Sequence, residues 1–209
     1  MRPDLSTYLV ADPEVCGDRG VVDTAVAAVR GGATVVQLRD KHASAHALYR
    51  TATALLQGLR GTGVPVVVND RLDIALAAGA DGVHLGQDDL PAQEARRLAG
   101  PGFLVGLSVS TLEELTRADA LPDGTVDYLG VGPVFVTPTK TDAQDAVGLE
   151  GLADLCRRTD LPCAAIGGIH AGNAAEVRST GVDGIAMVSA ICAAPDPAEA
   201  AAGLGAVLR

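Results

Sequence analysis

The chain of 209 residues is 48% hydrophobic, 20% charged and 2% aromatic, and it carries a formal net charge of −10. This apolar content excludes a disordered chain, and the acidity argues against nucleic acids and anionic membranes as partners, since both bind basic surfaces. The sequence has no membrane-spanning apolar run and no secretion signal, and its four cysteines form no CxxC pair. We therefore expect reduced thiols and a cytoplasmic location.

Short β-branched runs alternate with alanine-rich amphipathic runs along the whole chain. The pattern predicts strands at 7–11, 35–39, 64–69, 82–85, 104–107, 128–131, 163–166 and 184–188. It predicts helices at 19–30, 44–60, 71–78, 91–99, 111–120, 149–159, 172–179 and 197–208. Strict alternation is typical of parallel strands joined by right-handed crossovers. Eight regular units favour a (β/α)8 TIM barrel and not an open doubly wound sheet. We therefore predict a single α/β domain that spans residues 1–209.

A weak internal repeat supports this prediction. The sequence GADGV at 79–83 recurs as GVDGI at 181–185, and Gly31, Gly32 and Ala33 precede the second predicted strand. Such a pattern indicates a helix that ends at a left-handed glycine and turns directly into the next strand. The repeat therefore concerns the fold and carries no information about function.

Polar residues collect at the predicted C-terminal ends of the strands, where barrels of this type carry their active sites. Period-two alternation places Gln37, Arg39 and Lys41 on one side of the chain at the end of the second strand. Further polar side chains lie at the ends of the next three strands: Asn69, His84 and Ser108. A strand histidine could act as an acid or base, although it is more often a structural residue.

Lysine is rare in this chain, in which arginine is the usual base. Of sixteen basic residues only Lys41 and Lys140 are lysines, and both lie in segments that follow predicted strands. A compact ammonium group is a common partner of phosphate, so these two positions indicate an anion site. The alternative is a pair of solvated surface lysines.

Two carboxylates, Asp70 and Asp89, follow the neighbouring third and fourth strands and should lie close together. Carboxylates beside a pyrophosphate typically hold Mg2+. The alternative is that both cap the N-termini of the following helices, as aspartate often does at such turns. Asp88 could replace Asp89 as a ligand, and the spacing does not separate the two.

A second anion site is indicated after the last two strands. Gly167 and Gly168 follow the seventh strand, and Val188 and Ser189 end the eighth. This is the usual phosphate position of such barrels, where backbone N–H groups and a helix N-terminus face the anion. The alternative is a simple turn at the glycine pair.

Five segments, in the same order, resemble the signature of the thiamine-phosphate synthase family, and the resemblance extends from Tyr8 to Ile191. The segments are QLRDK at 37–41, NDR at 69–71, HLGQDD at 84–89, GPVF and TPTK within 132–140, and IGGI at 166–169. The resemblance implies a transferase of thiamine biosynthesis. It would join hydroxymethylpyrimidine pyrophosphate to hydroxyethylthiazole phosphate, releasing pyrophosphate and forming thiamine phosphate.

The resemblance also implies a role for each matched residue. Asp70 and Asp89 would hold Mg2+, which selects Asp89 over Asp88. The pyrimidine pyrophosphate would be bound by a polar set made up of Gln37, Arg39, Lys41, Asn69, Ser108 and Lys140. The thiazole phosphate would contact Thr137, Thr139, Gly168, Val188 and Ser189.

The implied reaction is dissociative, because the C–O bond to pyrophosphate breaks before the thiazole nitrogen captures the pyrimidine-methyl cation. Such a step needs fixed positive charge around the leaving group and no protein nucleophile. The expected catalytic group is therefore Mg2+ with Arg39, Lys41, Lys140 and Ser108, and the loop at 132–148 is the expected lid.

Two other functions remain open at this point. One is a thiazole tautomerase-like isomerase on the same barrel, and the other is a non-catalytic thiamine-phosphate-binding protein. The paired aspartates argue against the isomerase, since it has no pyrophosphate to hold. The partners expected in either case are small molecules, and the formation of a homo-oligomer is left open.

Overall fold

The computed structural model describes residues 3–136 and 145–208. Eight parallel strands form a closed barrel in chain order: β1 (Thr7–Ala11), β2 (Val35–Leu38), β3 (Val66–Asn69), β4 (Gly82–Leu85), β5 (Leu104–Val109), β6 (Tyr128–Val131), β7 (Cys163–Ile166) and β8 (Gly184–Met187). The last strand pairs with the first, with Thr7 opposite Ile185. This closure confirms the predicted TIM barrel and excludes the open sheet.

Helices surround the barrel, and those in the described residues are α1 (Pro13–Cys16), α2 (Gly20–Arg30), α3 (Ala45–Gly58), α4 (Leu72–Ala78), α5 (Ala92–Ala99), α6 (Leu112–Asp119), α7 (Gly148–Arg157), α8 (Ala174–Ser179), α9 (Ser189–Cys192) and α10 (Pro197–Leu208). Helices α1 and α9 were not predicted, because a single turn is too short to show helical periodicity. Among the described helices, none is both long and apolar enough to cross a membrane.

The buried residues form two layers. The larger layer lies between the strands and the helices, and the smaller one fills the inside of the barrel. The inner layer combines two large tyrosines, Tyr8 and Tyr128, with small residues such as Ala164 and Ala186. The small residues of β7 and β8 leave space at the C-terminal end of the barrel, where the cavity described below opens.

The repeated aspartates support the opposite, N-terminal end of the barrel. Asp81 and Asp183 each accept a hydrogen bond from the backbone N–H that begins β3 or β7, in both cases at 2.8 Å. The preceding glycines, Gly79 and Gly181, have φ values of +74° and +93°, which confirms the left-handed turns from helix to strand. The repeat therefore has a structural role far from the strand ends that carry the polar residues.

We expect Asp183→Ala to lower the free energy of unfolding by about 1–3 kcal/mol, because it leaves a buried backbone N–H without an acceptor. Turnover by the folded protein should not change, since Asp183 lies at the end of the barrel remote from the cavity. Urea unfolding and steady-state kinetics measure the two effects, and Asp18→Ala, at an exposed position, is the control. Altered turnover with unchanged stability would contradict this assignment.

Candidate active site

A cavity of about 330 Å³ opens at the C-terminal end of the barrel, and all eight strands contribute to its lining. The sequence-predicted site residues in the described part of the chain all line it: Gln37, Arg39, Lys41, Asn69, Asp70, Asp89, Ser108, Gly168, Val188 and Ser189. The other three, Thr137, Thr139 and Lys140, lie outside the described residues. The fold therefore brings together side chains that are distant in sequence.

Asp70 and Asp89 lie within hydrogen-bonding reach of each other in this lining. Burial of Asp70, followed by the hydrogen bond and the charge of Asp89, raises the pKa of the Asp70 carboxyl to about 6. The nearby charges of Lys41 and Arg39 act in the opposite direction and do not cancel the shift. Asp88, the alternative ligand, is exposed and also lines the cavity, but it is Asp89 that interacts with Asp70.

Neither aspartate of this pair caps a helix. The N-cap residues of α4 and α5 are Arg71 and Pro91, and neither helix has a side-chain cap hydrogen bond. The Oδ2 atom of Asp89 instead accepts a hydrogen bond from the N–H of Gly86 at 2.7 Å. The helix-cap alternative is therefore wrong, and both carboxylates are directed to the cavity lining.

The backbone at Asp70 is strained. Among the described residues, Asp70 is the only non-glycine with a positive φ, at +61°. This left-handed conformation costs about 1–3 kcal/mol and persists where neighbouring structure enforces it. Here the N–H of Asp70 donates to the carbonyl oxygen of His84 at 2.8 Å, which ties the end of β3 to β4. Strain and like charge thus coincide at one carboxylate, as is typical of functional sites.

The raised pKa of Asp70 makes stability depend on pH in a defined direction. The folded protein holds the Asp70 proton more tightly than the unfolded chain, whose carboxyl has the ordinary value near 3.8. The stabilising contribution is therefore full below that value and is lost as pH rises through about 6. In the absence of metal, we compare the melting temperatures of the wild type and Asp70→Asn. We expect the wild type to become less stable relative to Asp70→Asn as the pH is raised from 5 to 7.5. A constant difference across that range would contradict the shift.

Arg39 is held by an ion pair that sequence reasoning missed. Its Nη1 lies 2.9 Å from Oδ2 of Asp12, and the two side chains are only 15% and 13% exposed. The Oδ1 atom of Asp12 accepts the N–H of Glu14 at 3.0 Å, so the start of α1 fixes this carboxylate. A guanidinium has five N–H donors, and Asp12 therefore orients Arg39 while leaving donors for a ligand. The available signal was the position of Asp12 directly after β1, the neighbour of β2.

The floor of the cavity carries a hydrogen-bonded row of side chains, called here the floor network. Nε2 of Gln37 donates to Oη of Tyr8 at 2.7 Å, and that oxygen lies 2.8 Å from Oη of Tyr128. His84 continues the row, with Nδ1 3.2 Å from the Tyr128 hydroxyl and Nε2 3.0 Å from Oγ of Ser108. Burial raises the pKa of Tyr8 to about 12 and that of Tyr128 well above its ordinary value, so both hydroxyls stay protonated.

The ends of β7 and β8, where the sequence predicts a second anion site, contribute Gly167, Gly168, Val188 and Ser189 to the cavity lining. Gly167 and Gly168 have φ values of +104° and +68°, and a side chain at Gly168 would collide with Phe135. The carbonyl oxygen of Gly167 accepts the N–H of Phe135 at 3.1 Å, which attaches the segment after β6 to this turn. Ser189 begins the short helix α9 at the cavity edge. A glycine turn beside a helix start is a common arrangement for binding a phosphate through backbone N–H groups.

The donor set of the cavity fits a magnesium ion that is bound together with a ligand. No group of three or more His, Cys, Asp or Glu side chains that could hold a metal gathers within residues 3–136 and 145–208. Mg2+ commonly takes one or two carboxylates and completes its shell with water and substrate phosphates. Asp70 and Asp89 supply such a pair, and their mutual repulsion is a reason for a divalent cation to bind between them.

The chain is similar to known proteins over nearly its whole length. The family model described as thiamine monophosphate synthase matches residues 7–191. Thiamine-phosphate synthases of Albidiferax ferrireducens and Azorhizobium caulinodans are 53% and 49% identical, covering 94% and 99% of this chain and 89% and 96% of those proteins. The structure of thiamine phosphate pyrophosphorylase from Pyrococcus furiosus matches with a TM-score of 0.88 at 39% identity, covering 99% of this chain and 96% of that one. The chain therefore belongs to the thiamine-phosphate synthase family, as its five segments predict.

Proposed function

We propose that this chain condenses hydroxymethylpyrimidine pyrophosphate with hydroxyethylthiazole phosphate, forming thiamine phosphate and releasing pyrophosphate. The observation that carries the proposal is the convergence of Arg39 and Lys41 on the Asp70–Asp89 pair at one cavity. A cavity of about 330 Å³ suits small-molecule substrates. The four cysteines are free thiols, which supports the proposed cytoplasmic location.

Arg39 and Lys41 act on the leaving group in this proposal. When the C–O bond breaks, the departing pyrophosphate gains negative charge while the aminopyrimidine stabilises the methyl cation. Cationic groups held in place before the reaction stabilise that charge without reorganisation, and the Asp12 ion pair holds Arg39 in this way. No protein nucleophile is required, because the thiazole nitrogen captures the cation directly.

Asp70 and Asp89 would hold Mg2+, which when bound supplies further positive charge to the pyrophosphate oxygens. The pair would also position the pyrophosphate near the ends of β3 and β4, since Mg2+ commonly binds one or two carboxylates together with substrate phosphates. Asn69, the residue before Asp70, lines the same cavity and would bind the pyrophosphate from the end of β3.

The remaining contacts divide between the two substrates. Gln37 and Ser108, at the two ends of the floor network, would bind the pyrimidine. Gly168, Val188 and Ser189 would bind the thiazole phosphate with their backbone groups and the Ser189 hydroxyl. For the residues outside the described part of the chain, the proposal rests on the resemblance alone: Lys140 on the leaving group, and Thr137 and Thr139 on the thiazole phosphate.

Mass spectrometry of both substrates incubated with the protein tests the function. We expect thiamine phosphate and pyrophosphate in equal amounts, and only when Mg2+ is present. Conversion of the thiazole phosphate alone, without Mg2+, would instead support the isomerase. Retention of added thiamine phosphate with no turnover would support a binding protein. Either result would overturn the proposed condensation.

A further inference from the structure

All the hydrogen bonds of the floor network must donate in the same direction along the row, either from Gln37 towards Ser108 or the reverse. The Tyr8 hydroxyl has Gln37 and Tyr128 as partners, and the Tyr128 hydroxyl has Tyr8 and His84. A hydroxyl has one hydrogen, so each tyrosine donates to one of these partners and accepts from the other. A neutral imidazole likewise donates at one nitrogen and accepts at the other. The orientation of the first bond therefore determines all the bonds that follow.

The hydrogen bond from Gln37 to Tyr8 determines which atom donates in every other bond of the network. Because Nε2 of Gln37 donates to Tyr8, Tyr8 donates to Tyr128 and Tyr128 donates to Nδ1 of His84. The imidazole then carries its hydrogen on Nε2, which donates to Oγ of Ser108. Within the described part of the chain no group donates to Oε1 of Gln37, and this residue lines the cavity. Gln37 therefore offers an acceptor and its second N–H to a ligand, and Ser108 offers its O–H.

Two glycines reserve the space that this network needs. Gly106 in β5 pairs with Tyr128, and Gly130 in β6 lines the cavity. A β-carbon at Gly106 would collide with the Tyr128 ring, its hydroxyl and Nδ1 of His84, and one at Gly130 would crowd the same imidazole. Tyr8 and Tyr128 are each only 1% exposed. The network is thus closely packed, and its two tyrosine side chains are held in one arrangement by the surrounding strands.

We propose that Tyr8 and Tyr128 are positioning residues that hold the Gln37 amide in the orientation that selects an aminopyrimidine over an oxopyrimidine. An aminopyrimidine presents an N–H donor beside a ring-nitrogen acceptor, which matches a glutamine amide that shows both Oε1 and N–H. An oxopyrimidine presents the reverse order, a carbonyl beside a ring N–H. Matching it would require the amide to rotate, and the whole network would have to reverse. The proposal rests on the proposed function for its ligand, but the proton sense can be tested without it.

The proton sense is tested by 15N NMR of the imidazole groups in the substrate-free protein. We expect His84 to carry its proton on Nε2, with the signal identified through its loss in His84→Gln. Gln37→Glu at pH 8.5 replaces the donor with an ionised carboxylate, which can only accept. The network should then reverse, and the His84 proton should move to Nδ1. Gln57→Glu, at an exposed position on α3, should leave the tautomer unchanged. A wild-type proton on Nδ1, or an unchanged tautomer in Gln37→Glu, would overturn the proposal.

Selectivity is tested by the ratio of kcat/KM for the aminopyrimidine pyrophosphate to that for its oxo analogue. We expect Tyr8→Phe and Tyr128→Phe to lower this ratio at least about tenfold, since each cuts Gln37 off from His84. Tyr49→Phe, on a partly exposed ring of α3, is the matched control. Equal losses for both substrates would show a merely structural role and refute the proposal. If instead no substrate turns over in the wild type, the proposed function fails while the His84 tautomer still reports on the network.

Discussion

Asp70→Asn is expected to lose Mg2+-dependent turnover by a factor of about 10²–10³ while its melting temperature without Mg2+ rises. Activity should fall because one of the two proposed carboxylate ligands is removed. A bound metal contributes several kcal/mol to a charged transition state, and each 1.4 kcal/mol corresponds to about tenfold in rate. Stability rises because the burial of a charged carboxylate and its repulsion by Asp89, which together raise the pKa of Asp70, are both removed. Asparagine also tolerates the left-handed backbone at this position. Pyrophosphate release and thermal unfolding at pH 7.5 measure the two effects.

Asp88→Asn is the matched control, because it removes one negative charge from the adjacent exposed position. It should change neither the Mg2+ dependence nor the melting temperature appreciably. Addition of Mg2+ should stabilise the wild type and the control but not Asp70→Asn. If Asp70→Asn retained its Mg2+ dependence, or if the control lost it, the metal site would have to be placed elsewhere.

Arg39→Gln is expected to lower kcat by about 10²–10³, the usual effect of removing a preorganised group that stabilises developing negative charge. The loss should appear in the rate of pyrophosphate release under saturating substrate, because the charge being stabilised develops as the bond breaks. Arg50→Gln, at an exposed position on α3, removes the same charge from the surface and should have no such effect. A defect confined to KM would assign Arg39 to substrate binding alone.

Asp12→Asn separates the position of Arg39 from its charge. The guanidinium would remain while its anchor at 2.9 Å is lost, so we expect a smaller fall in kcat, of about tenfold. Combined with Arg39→Gln, the Asp12 change should have little further effect, since the two residues act through the same contact. Independent, additive losses would show that Asp12 has a role of its own.

The sequence was sufficient to predict the barrel and the strand ends that line its cavity. The alternation of apolar and polar residues in strands and helices can be recognised within short stretches of sequence. The glycine turns at 79 and 181 can likewise be recognised from a few adjacent residues. Once the strands are parallel, their C-terminal ends must meet, so Gln37, Ser108 and Asp70 could be assigned to one cavity. The single-turn helices α1 and α9 were not found, because no periodicity exists over four residues.

The tertiary structure alone decided which partners these residues have. Sequence spacing left Asp88 and Asp89 as equal candidates for a metal ligand. It also allowed Asp70 and Asp89 to be either metal ligands or helix caps. Only the closed barrel brings Asp89 against Asp70. Tyr8 and Tyr128 are separated by 120 positions in the sequence, yet their hydroxyl oxygens lie 2.8 Å apart inside the barrel. Local patterns determine where a strand begins and which face it buries. Hydrogen bonds and charge interactions depend on distances of a few ångströms between remote segments, which are set only when the whole barrel closes.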